Sequence, residues 1–119
     1  MLVVDDEVAI ADSLTKILRG HGFDVMPEYS ARGAVLAASK FHPDVLITDI
    51  IMPGINGLDL AEWFSKVYPA CRIILTSASM HHFDSSYLSF EHTQEISFIP
   101  KPVLIPDLLQ VMARRNPAA

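Results

Sequence analysis

Asp5 and Asp6, Asp49, Thr76 and Lys101 each stand at or just past the end of a short apolar run: Leu2–Val4, Val45–Thr48, Arg72–Leu75 and Ile96–Ile99 respectively. If those runs are neighbouring strands of one sheet, three carboxylates, a hydroxyl and an ammonium meet along its edge. Three anions so close repel one another unless a cation lies among them. Carboxylate oxygens suit a hard ion such as Mg2+, which keeps some of its waters and takes phosphate oxygens as further ligands. Lys101 adds a point positive charge and Thr76 a hydroxyl donor. The set could therefore handle a phosphoryl group, with a carboxylate as nucleophile, a metal bridging oxygens and two donors for developing charge. Acids that merely cap helices or face water would explain one such residue, but not this convergence.

The rest of the chain supplies the elements that must position them. Ala9–His21 carries Ile10, Leu14, Ile17 and Leu18 at helical spacing, and Gly22 suits the left-handed position that closes a helix. Val25–Tyr29 reads as a strand, and Pro27, lacking a ladder N–H, places it at a sheet edge. Ala31–Lys40 is an alanine-rich helix. Asp59–Tyr68 is a helix with Leu60, Phe64 and Val67 on one face, and Pro106–Arg115 is a last helix with proline in its first turn. The stretch from Met80 to Glu95 is polar and mixed, and any helix within Phe83–Thr93 is weakly patterned. Strands alternating with helices imply a parallel sheet covered on both faces, and open sheets of that kind carry their sites at the carboxyl edge.

VVDDE (3–7), ITDIIMPGINGLDL (47–60), ILTSA (74–78) and FIPKP (98–102) closely resemble the receiver domain of bacterial two-component response regulators. The motifs occur in family order along nearly the whole chain, and Asp49, Met52, Pro53, Gly54 and Gly57 are specific in combination. The resemblance implies a flavodoxin-like (CheY-like), doubly wound, five-stranded parallel sheet in the order 2-1-3-4-5, with residues 1–119 as one domain. It implies that Asp49 accepts a phosphoryl group from a sensor histidine kinase or phosphotransfer protein. Asp5, Asp6, Asp49 and the backbone carbonyl of Ile51 would hold Mg2+. Lys101, next to an expected cis Lys101–Pro102 bond, would contact the phosphoryl group; Thr76 and Phe98 would form the switch. A homodimer or output partner would use the fourth helix, the fifth strand and the last helix. The family also implies that Ile51 and Ala78, two residues past Asp49 and Thr76, influence how long the phosphoryl group survives. Neither side chain can orient a water, so slow loss is expected.

Two other classes compete. An aspartate-nucleophile phosphatase needs a second acid two residues after the nucleophile, where this sequence has Ile51. A pseudo-receiver, binding partners without phosphorylation, typically lacks the acidic pair, the acceptor or the lysine, and this sequence keeps them all. Composition agrees with a signalling module. Nine Lys and Arg against fourteen Asp and Glu give a net charge of −5, which disfavours general binding to nucleic acid or membrane surfaces. Nothing approaches the roughly 20 apolar residues of a membrane span, and the single Cys71 cannot pair internally, so a soluble cytoplasmic location is expected. Cys71 reads as a packing residue and Trp63 as partly core. His81, His82 and His92 lack ligand spacing. His21 and His42 read as helix-end residues, and Arg114 and Arg115 as charges favouring a helix C-terminus.

Overall fold

The computed structural model describes residues 1–78 and 88–114. Five strands, β1 (Leu2–Val4), β2 (Met26–Glu28), β3 (Val45–Asp49), β4 (Arg72–Ser77) and β5 (Ile96–Pro100), form one parallel sheet ordered β2-β1-β3-β4-β5. Helices α1 (Val8–Gly20), α2 (Ala31–Phe41), α3 (Gly57–Val67) and α4 (Ile105–Ala113) connect or follow them. The order is the expected one, and Pro27 lies on the β2 edge. His81, His82, Arg115 and the first part of the expected fourth helix (83–87) lie outside the described residues; residues 88–93 form no helix.

Alternation along the strands separates two cores. Leu2, Val4, Leu46, Ile73 and Leu75 face one side with α2 and α3, while Val3, Ile47, Ile74 and Ile99 face the other with α1 and α4. Helix α2 presents Ala31, Ala34, Ala37 and Ala38 to the sheet, so small side chains let it approach closely. Ser30 caps its start, accepting from the Gly33 N–H at 3.0 Å. Gly22, at φ +91°, follows α1 in the left-handed region as expected.

The apolar stripes are rotated from those the sequence predicts. Helix α1 buries Ala11, Leu14, Thr15 and Leu18, leaving Ile17 44% exposed. Helix α3 buries Gly57, Leu60, Ala61, Phe64 and Ser65, leaving Val67 46% exposed. Both buried sets follow the i, i+3, i+4, i+7 spacing of one helix face. A small polar residue occupies the stripe in each case. Trp63 does pack against the core, edge-on to Phe64 and Tyr68. Cys71 is buried as expected, its thiol pushed up to about 12 by burial, so it packs as a neutral group.

The last helix is held differently from the expected way. Its terminal carbonyls are satisfied by Arg72 at the start of β4, whose guanidinium donates to Val111 O (2.9 Å), Met112 O (2.7 Å) and Arg114 O. Glu95 pairs with Arg72 and Arg114, each at 3.5 Å. Arg114, at the end of α4, also pairs its charge with Glu95.

Candidate functional site

All three acids and the lysine converge at the carboxyl edge of the sheet. Asp5 follows β1, Asp49 ends β3 and Lys101 follows β5. Oxygens of Asp5, Asp6 and Asp49 lie within 4.8 Å of one another. Asp5 and Asp49 are buried, whereas Asp6 is exposed. The parallel register brings Thr76 beside Asp49 across the β3–β4 pair, and Phe98 beside Leu75 on β5.

Each group is oriented by its neighbours. The Glu7 N–H donates to Asp5 Oδ1 at 3.0 Å, and Lys101 Nζ donates to Asp5 Oδ2 at 2.7 Å. Asp5 thus has both oxygens engaged, leaving Asp6 and Asp49 more open. Lys101 Nζ also lies 3.3 Å from Asp49 Oδ2, and its backbone N–H donates to Ser77 O at 3.0 Å. The Lys101–Pro102 bond is cis, as expected. The Thr76 hydroxyl donates to Thr48 O at a long 3.4 Å, so it is turned back onto the backbone of β3 by a weak bond. Phe98 is half-buried against the core under α2 and α3.

Burial pushes the Asp49 carboxyl above its ordinary value; the Lys101 charge opposes this, and Asp5 and then Asp6 add to it. For Lys101 burial works to lower the pKa, but bonding to Asp5 and the charges of Asp49 and Asp5 outweigh it, and the pKa is raised. The lysine is a fixed cation, balancing part of an excess of negative charge. Three clustered carboxylates against one ammonium leave room for a hard divalent ion, and the all-oxygen donor set fits Mg2+. Ile51 is 57% exposed at the rim, and Ala78 is also exposed.

A sequence profile of the response regulator receiver domain matches residues 1–113. The chain belongs to that family. The DNA-binding response regulator MtrA of Mycolicibacterium paratuberculosis is 40% identical over 62 residues, covering 52% of this chain and 28% of MtrA. The receiver domain of NtrX from Brucella abortus superposes with a TM-score of 0.80 at 28% identity, covering 93% of this chain and 92% of that one. TrrA from Thermotoga maritima, solved in complex with Mg(2+)-BeF, gives a TM-score of 0.77 at 27% identity, covering 93% of both chains. The matched segment of this receiver chain spans only 28% of the length of MtrA. Among its described residues no helix is long and apolar enough to cross a membrane.

The motifs single out Asp5, Asp6, Asp49, Thr76 and Lys101, which the structure gathers at one edge of the sheet. They do not reveal a groove of about 630 Å³ beside Lys101, between α1 and the segment after β5. Ile10, Ile17, Pro102, Val103 and Ile105 line it. The exposed Ile17, read from sequence as core, was the available signal.

If the acids hold the ion directly, Asp6→Ala should weaken Mg2+ binding by at least about tenfold, because it removes one anionic ligand and some of the charge that retains the cation. Calorimetric titration measures this. Unchanged affinity would exclude Asp6 from the ligand set.

Proposed function

We propose that this receiver domain takes a phosphoryl group onto Asp49 from a phosphohistidine of a sensor histidine kinase or phosphotransfer protein, and passes the signal on as a change of surface. The observation that carries this reading is the convergence of Asp5, Asp6, Asp49 and Lys101 at the carboxyl edge of the sheet. An Asp49 carboxylate oxygen attacks phosphorus as the phosphorus–nitrogen bond breaks in a donor protonated on its other ring nitrogen, leaving an acyl phosphate on Asp49 and a neutral imidazole. Lys101, already within reach of Asp49, meets the charge spread over the phosphoryl oxygens. Asp5, Asp6, Asp49 and the Ile51 carbonyl would hold Mg2+, which when bound neutralises the carboxylates and the oxygens of the transferred group. The apolar groove beside Lys101 suits a helix that presents the donor histidine. Such a module works in the cytoplasm.

The switch follows from Thr76. Its bond to Thr48 O is weak, so a phosphoryl oxygen beside Asp49 is a better partner for the hydroxyl. Moving it vacates space that Phe98 fills, and the face of β5 and α4 changes for an output partner or a second copy. Amide NMR with and without Mg2+ and beryllofluoride tests this. Shifts should reach Phe98 and α4; shifts confined to the acid cluster would refute the switch.

The phosphoryl group should also last. Hydrolysis needs a water held in line with phosphorus, and neither Ile51 nor Ala78 can orient one. After donor removal, phosphorylated protein should decay over minutes or longer, and Ile51→Asn should decay several-fold faster. A wild-type lifetime of seconds, or an unaccelerated variant, would count against this.

A further inference from the structure

The backbone that carries Asp49 is held from two sides by the next residue, Ile50. The Ile50 N–H donates to Thr76 O at 2.9 Å, and Ile50 O accepts from the Gly57 N–H at 2.8 Å. The first turn of α3 therefore rests directly on the end of β3. Only a residue without a side chain permits that contact: a Cβ on Gly57 would overlap the Asp49 carbonyl oxygen and sit 2.8 Å from Ile50 Cα. Both clashes are with backbone, so no flexible side chain can move aside.

We propose that Gly57 is a positioning residue for the Asp49 site, setting the depth of Asp49 and the approach of the Ile50–Asn56 loop; this rests on the phosphoacceptor reading above. Any side chain at 57 must push α3 and that loop off the end of β3. Asp49 and the Ile51 carbonyl move with it, away from Asp6 and Lys101. A misplacement of about 1 Å at a reacting group costs about a hundredfold where geometry is strict.

The test compares Gly57→Ala with Phe64→Leu, a core change about two turns further along the same helix. Mg2+ affinity by calorimetry and phosphoryl uptake from acetyl phosphate are read at a temperature where urea unfolding shows each protein folded. Gly57→Ala should lose about tenfold or more in both, whereas Phe64→Leu should keep both within about twofold despite lower stability. Wild-type values in Gly57→Ala, or an equal loss in Phe64→Leu, would overturn the inference. If Gly57→Ala does not fold, Asn56→Ala decides. It removes the Asn56 Oδ1 cap on the Asp59 N–H (2.9 Å) and loosens the same turn without a clash. About threefold weaker Mg2+ binding is then expected, and unchanged binding overturns the proposal. A wild-type protein that takes no phosphoryl group would instead sink the phosphoacceptor reading and this inference with it.

Discussion

Asp49→Asn is expected to reduce phosphoryl uptake from a small donor by at least about a hundredfold, the largest effect of any single substitution in this receiver. The amide keeps the size of the side chain and its place at the end of β3 but is no nucleophile at phosphorus. The variant should nevertheless be folded and somewhat more stable than wild type at neutral pH. The sign follows from the raised pKa of Asp49, whose first cause is burial. A carboxyl that binds its proton more tightly folded than unfolded favours folding when protonated, and loses that advantage as pH rises through the folded value. At neutral pH the buried anion is a net cost, which the amide avoids. In the metal-free protein, the stability advantage of Asp49→Asn should shrink on acidification, beginning above the ordinary aspartate range. Uptake followed by intact mass, with urea unfolding alongside, measures both halves. A variant that is phosphorylated at the wild-type rate would remove Asp49 from its role.

The second large effect is on stability and lies at the far end of the sheet from the acids. Arg72→Leu should destabilise the fold by roughly 2–4 kcal/mol, because it strips the donors from two carbonyls of α4 and from the Arg114 carbonyl just past it, and leaves Glu95 facing a largely buried surface. The side chains of Arg72 and Glu95 are only 8% and 18% exposed, so water cannot readily replace the lost partners. Arg114 still pairs with Glu95, which keeps the estimate at the lower end for a broken buried ion pair. Adding Glu95→Gln to Arg72→Leu should recover part of the loss. Urea denaturation gives the values, and a change below about 0.5 kcal/mol would show that the α4 end does not depend on Arg72.

The strands and the acid site were legible because their signals are local. Apolar runs ending in Asp5, Asp49, Thr76 and Lys101 need no knowledge of the rest of the chain, and Pro27 alone places β2 at an edge. The helical stripes were only partly legible. Hydrophobicity nominated Ile17 and Val67, but the buried faces close around Thr15 and Ser65, because side-chain position on the helix, not polarity, decides which small residue is covered. Arg72 was read only as the first residue of a strand; its carbonyl partners lie 39 to 42 residues away and follow from tertiary packing. Gly57 was visible as part of a motif, but the motif gives no reason for it. The reason is a backbone contact with Asp49 and Ile50 that exists only once α3 is docked.

Incubation of the wild-type chain with acetyl phosphate and Mg2+, followed by intact mass and peptide mapping, tests the central claim most directly. One added phosphoryl group is expected, mapping to Asp49 and absent when a chelator replaces Mg2+. No mass change under full donor and metal, uptake indifferent to the chelator, or a phosphoryl group on any other residue would contradict a metal-assisted phosphoacceptor at Asp49.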